Sequence, residues 1–110
     1  MSRKYTETNY TTAVAVDTTL SLTDDFDVAR IDIAVDIAAV SAGSLTITKT
    51  VATLGSTYDT LIRSIDMIGV TSYVIGNDDL LKGFKSGDAL AIEYSNADNR
   101  TITLTATLVQ

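Results

Sequence analysis

The sequence predicts an all-β fold, and three observations carry that prediction. Eighteen of the 110 residues are Thr, and Val and Ile are plentiful; β-branched side chains favour the pleated surface of a strand. Apolar and polar residues alternate with period two over several runs. Clusters of Asn, Asp, Ser and Gly interrupt those runs every ~8–12 residues, the spacing of turns in a sandwich. A chain of this length suits one domain. It buries about 65% of its extended surface, enough for one core without staples.

Residues 1–12, MSRKYTETNYTT, are polar and show no core-facing pattern, so we expect an N-terminal arm ahead of a sandwich domain spanning 13–110. TAVAVDTTLSLT reads as one or two short strands. In FDVARIDIAVDIAAV, Ile31, Ile33, Val35 and Ile37 share one face, with Arg30, Asp32 and Asp36 on the other. SLTITKTV places Leu45, Ile47 and Val51 opposite Thr46, Thr48 and Thr50, and Ser41–Gly43 supplies the turn before it. YDTLIRSIDM and TSYVIG read as strands. NDDLLKGF allows either a single helical turn capped by Asp78 or a short edge strand. DALAIEYS turns Leu90, Ile92 and Tyr94 inward, and RTITLTATLVQ sets Ile102, Leu104, Ala106 and Leu108 against four Thr. Between these last two runs, Asn96–Asn99 is expected to be a hairpin loop, because Asn and Asp tolerate left-handed geometry and bond their own backbone. The sum is a single β-sandwich, jelly-roll-like or immunoglobulin-like, of about seven to nine short antiparallel strands.

The chemistry expected of this chain is sparse. It has no His and no Cys, so the usual general base and thiol nucleophile are absent and no disulfide framework exists. Carboxylate pairs remain, with Asp32 and Asp36, or Asp24 and Asp25, as candidates; a hydrolase would need two such groups facing each other across a cleft. The expectation is that they lie on solvated faces and turns. Three acidic loops, Asp24–Asp27, Gly76–Asp79 and Asn96–Asn99, offer hard oxygen ligands for calcium, but none matches the twelve-residue loop with its closing Glu. The Gly55–Ser56 and Gly87–Asp88 pairs read as turns. Tyr58 and Tyr73 are the candidate sugar-stacking pair for a carbohydrate-binding module. A net charge of −6 opposes binding to nucleic acid through phosphates. No apolar run reaches membrane-spanning length, and none of signal-peptide length follows the basic start. We therefore expect a soluble, non-enzymatic protein without cofactor, made and kept in the cytoplasm or released by lysis.

Two stretches carry a resemblance. One is Gly55, Ser56, Tyr58, Asp59 and Thr60. The other is Gly87, Asp88 and Leu90, followed by Tyr94, Asn96, Asp98, Arg100 and Thr101. Over roughly residues 26 to 110 the chain resembles small β-rich proteins encoded in the structural gene clusters of tailed bacteriophages. That family pattern often has Pro before the Gly-Asp turn, and this chain has none. The resemblance implies a virion component, most directly a capsid decoration (cement) protein on the head surface, bound to the major capsid protein and to itself as a trimer. A tail, head–tail junction or fibre-associated protein is the near alternative. In the decoration reading the N-terminal arm attaches the protein, with Tyr5 and Tyr10 as anchors and Arg3 and Lys4 meeting acidic partners. The resemblance also implies an ion pair between Arg100 and Asp59.

Overall fold

The structure, a computed structural model, describes residues 5–22, 24–38, 43–51, 58–76 and 78–110. Arg3, Lys4, the Ser41–Ala42 part of the expected turn, the Gly55–Ser56 pair and Asn77 lie outside the described residues. Among the described residues eight strands are formed: β1 (Tyr5–Thr12), β2 (Val16–Leu20), β3 (Asp27–Val35), β4 (Ser44–Thr50), β5 (Thr60–Asp66), β6 (Ser72–Gly76), β7 (Ala89–Tyr94) and β8 (Ile102–Val109). They build two antiparallel four-stranded sheets, ordered β1-β8-β3-β6 and β2-β7-β4-β5.

The pairing is nested. β4 pairs with β5, β3 with β6, β2 with β7 and β1 with β8. The chain is in effect one long hairpin, rolled so that β8 also pairs with β3 and β7 with β4. This eight-stranded order is the jelly-roll arrangement of a sandwich.

The alternating residues close a single core between the sheets. Ile31, Ile33 and Val35 of β3, and Ile102, Leu104, Ala106 and Leu108 of β8, meet Leu45 and Ile47 of β4 and Leu90, Ile92 and Tyr94 of β7. Thr103, Thr105 and Thr107 take the outer face of β8 as the period requires. Val51 lies just past β4 and is half-buried. Two bulges interrupt the ladders, at Ala29 in β3 and at Ile62 in β5. The second lets Ile62 turn inward while Leu61 stays exposed.

Three expectations are corrected. First, Asn96–Asn99 is not a hairpin loop: β7 and β8 belong to different sheets, and the segment crosses between them. Alternation marks the face a strand buries, not the neighbour it pairs with. Here both runs bury their apolar faces against opposite sheets. Second, the arm does not exist over Tyr5–Thr12, which form β1 and pair with β8 along all eight residues. The inward residues Thr6, Thr8, Tyr10 and Thr12 are only half-buried, so a Thr-rich edge strand shows no apolar period. Third, Ile37 is 58% exposed. β3 stops at Val35, and the Asp36 carboxylate accepts from the N–H groups of Ile37 and Thr101, turning the chain away before the alternation is spent.

At the end opposite Asn96, Phe26 and Phe84 exchange backbone hydrogen bonds of 2.8 and 2.9 Å and stack with ring centroids 4.9 Å apart. Lys49 reaches across to lie 4.8 Å from the Phe84 centroid. From Asp78 on, NDDLLKGF forms the capped helical turn: the Asp78 side chain accepts from Leu80 N ahead of a 3-10 turn at Asp79–Leu81. Gly87–Asp88 is a turn as expected, closed by Asp88 N donating to Lys85 O, with Gly87 at φ 89 where a side chain would be strained.

Candidate binding surfaces

One end of the sandwich carries the connections that cross from one sheet to the other, described at residues 13–15, 95–101, 36–38 with Gly43, and 67–71. The strand orders place these loops side by side. Asn96 ties them together. It is 1% exposed and sits at φ 51, a conformation Asn tolerates. Its Nδ2 donates to Val14 O and Arg100 O at 2.8 and 2.9 Å, and its Oδ1 accepts from Arg100 N. Asn99 N closes the turn onto Asn96 O. The next link is Asp36, whose N–H donates to Thr101 O while its carboxylate accepts from Thr101 N. Val35 N to Thr71 O and Met67 N to Gly43 O complete the row.

On this fixed frame three of the four loops present an exposed apolar side chain: Val14 at 64%, Ile37 at 58% and Ile68 at 50%. The alternation of the sequence predicts Ile37 in the core, and no sequence pattern marks Val14 or Ile68 as a surface group. The opposite end is charged. Asp25 lies 3.6 Å from Lys85 Nζ and accepts from Ser86 N, Asp27 accepts from Gly83 N, and Lys82 pairs with Asp79.

The candidate catalytic and metal groups are engaged separately. Asp32 takes a bidentate contact from Arg30 on the outer face of β3, while Asp36 caps the strand end four residues on. Asp24 is exposed beside Asp25, which faces Lys85. Among the described residues no group of three or more His, Cys, Asp or Glu is placed to hold a metal ion. Tyr58 and Tyr73 do not form a platform: Tyr58 is exposed, whereas Tyr73 packs against the core and its hydroxyl meets Arg63 Nη1 at 3.3 Å. Nor do Arg100 and Asp59 meet. Asp59 accepts from Val51 N beyond one end of β4, and Arg100 follows the crossing loop at the other, about 20 Å away at ~3.3 Å per residue of strand. Of the expected attachment residues, Tyr5 is 66% exposed on the outer face of β1 and Tyr10 packs against the core from the inner face.

Arg63 is a charged residue the sequence did not single out. It sits on edge strand β5 opposite Ile47, so it points inward. There it reaches Tyr73 of the other sheet and Asp78 at 2.9 Å, joining the two sheets along their β5–β6 side. The Asp78 hydrogen bond, then the Tyr73 hydroxyl, raise the guanidinium pKa further. Burial, and then the carboxylates of Asp98 and Asp66, push the Tyr94 phenol up.

Shallow grooves on the surface include two formed by described residues. The larger, about 430 Å³, runs past Asp17, Ser44, Thr46, Glu93 and Ser95 on the second sheet. The other, about 300 Å³, lies beside Phe26, Phe84 and Lys85. Among the described residues no helix is long and apolar enough to cross a membrane. No protein-family model matches the chain, and no curated protein matches it either.

Proposed function

We propose that the chain is a non-catalytic virion structural protein, a capsid decoration protein that binds the major capsid protein on the head surface after synthesis in the host cytoplasm. The observation that carries this reading is the end formed by the four crossing loops. Val14, Ile37 and Ile68 stand exposed on loops tied to their neighbours by Asn96, by Asp36 and, for the Ile68 loop, by the backbone bonds of Val35 to Thr71 and Met67 to Gly43. Exposed apolar groups on loops already held by hydrogen bonds need less ordering to bind a partner, which lowers the cost of association. The jelly roll is also an architecture shared by viral capsid and lectin domains, although a fold alone does not give a function. The resemblance to phage structural proteins supports the same class of role. Attachment is assigned to the loop end, because Tyr5 and Tyr10 lie on opposite faces of a strand and cannot act together as anchors.

The test is co-sedimentation with undecorated phage heads, comparing the native chain with Val14→Asp, Ile37→Asp and Ile68→Asp, each checked by circular dichroism. The native chain is expected to bind and each variant to bind at least about tenfold more weakly, as loss of one buried apolar anchor implies. Native binding unaffected by all three variants removes the loop end as the attachment surface. Binding to purified tails rather than heads moves the assignment to a tail or junction role.

A further inference from the structure

The four edge strands of the sandwich are not alike. β2 and β6 have five residues each, and short edges offer little to an incoming strand. β5 has a bulge at Ile62 and the inward-pointing Arg63, both devices that keep an edge from pairing further. β1 has eight residues, pairs with β8 in unbroken register, and holds no Pro, Lys or Arg. None of its eight residues is buried, so its free edge faces outward along its length. Its one charged residue is Glu7.

We propose that β1 is the interface of a two-fold dimer, in which β1 of one copy adds antiparallel to β1 of a second and the two first sheets join into one eight-stranded sheet. The occupant follows from self-complementarity. Directly opposed residues share a face, and Tyr5, Glu7, Asn9 and Thr11 face outward while Thr6, Thr8, Tyr10 and Thr12 face inward. A two-fold axis at Thr8 sets Thr8 against Thr8 of the second copy, Glu7 against Asn9, Thr6 against Tyr10 and Tyr5 against Thr11. The lone carboxylate then meets a carboxamide twice, once on each side of the axis, and no like charges are opposed. Asn9 keeps its place because its Oδ1 already accepts from Thr105 Oγ1 at 2.9 Å, leaving the amide nitrogen toward the new partner. An unrelated strand has no reason to offer this sequence of partners in reverse; a second copy offers it by symmetry. The contact lies along a sheet edge rather than at the loop end, so it stands whether or not the protein binds a capsid, and it sets a two-fold dimer against the trimer that the resemblance implies.

Sedimentation velocity from about micromolar to millimolar concentration reads the association directly. The native chain is expected to pass from monomer to dimer. Asn9→Asp retains the acceptor for Thr105 but opposes two pairs of carboxylates across the axis, and is expected to weaken the dimer about tenfold. Adding Glu7→Gln to that variant restores it. Because the chain has no Cys, Thr8→Cys alone reports the register: on mild oxidation it forms a disulfide-linked dimer, while Thr6→Cys, opposed to Tyr10, does not. A chain that stays monomeric at millimolar concentration overturns the proposal. So does a trimer, which a two-fold contact cannot make. A dimer indifferent to Asn9→Asp and equally cross-linked through Thr6→Cys is held elsewhere, and overturns it too.

Discussion

Removing the Asn96 carboxamide leaves Val14 O, Arg100 O and Arg100 N without their partners at a position almost closed to solvent. Unsatisfied buried groups cost roughly 1–3 kcal/mol each, less whatever water recovers. We expect Asn96→Ala to destabilise the chain by about 2–4 kcal/mol in a urea titration. Asn99→Gly is the contrast. Asn99 is exposed at φ 52, and Gly there is expected to change stability by less than about 1 kcal/mol. Asp78 gives a pH signature. The Leu80 N–H, then Arg63, hold its carboxyl below the usual range. A depressed carboxylate adds stability that is present above its unfolded value, near ~4, and is lost as pH falls through the folded one. Asp78→Asn is therefore expected to be less stable than the native chain at neutral pH, with the gap closing below about pH 4 in parallel melts. Residues with a local job were readable in the sequence: Gly87–Asp88 as a turn, Asn96 as a loop residue, and Asp78 as a cap in one of the two forms its segment allowed. The bond from Asn96 to Val14, 82 positions away, was not, because nothing in the chain around either residue registers the other.

Strands whose two faces differ in polarity were legible as elements. β3, β4, β7 and β8 bury the faces their alternation marks, so Ile33→Ala is expected to cost about 2–5 kcal/mol while Ile37→Ala, beyond the strand end, costs under about 0.5. β1 failed the same reading, since Thr on both faces has no contrast to detect. Pairing failed as well: of the consecutive strands, only β4 and β5 share a sheet, and the other connections all cross. The status of β1 makes a prediction about deletion. Removing residues 2–12 from a mere arm leaves the melting temperature unchanged. Here it strips an eight-residue ladder from β8 and uncovers the packing of Tyr10. We expect a loss of about 2 kcal/mol or more, seen as a drop of roughly 8 °C or more by calorimetry. An unchanged melt means β1 adds nothing to the monomer.

At the scale of the molecule, nested pairing sets how the chain folds. The outermost pair joins Tyr5 to Val109 and the innermost joins β4 to β5 across a short connection. Every pair outside that hairpin closes a longer loop, and the entropy of closure must be met before the contacts form. Folding dominated by such non-local pairs falls in the range of about milliseconds to seconds. The usual source of slower phases in β-proteins, prolyl isomerisation over ~10–100 s, has no substrate here, because the chain contains no Pro. Disulfide reshuffling is absent for the same kind of reason, since there is no Cys. Refolding of the dilute chain, at concentrations where β1 of one copy does not meet another, is therefore expected to be a single phase complete within seconds. It should be unaffected by a prolyl isomerase and by the time spent unfolded. Double-jump stopped-flow, with the delay in denaturant varied from milliseconds to minutes, measures this. A slow phase that grows with the delay contradicts the argument. A slow phase that instead grows with protein concentration assigns the late step to association of chains rather than to the roll of the sandwich.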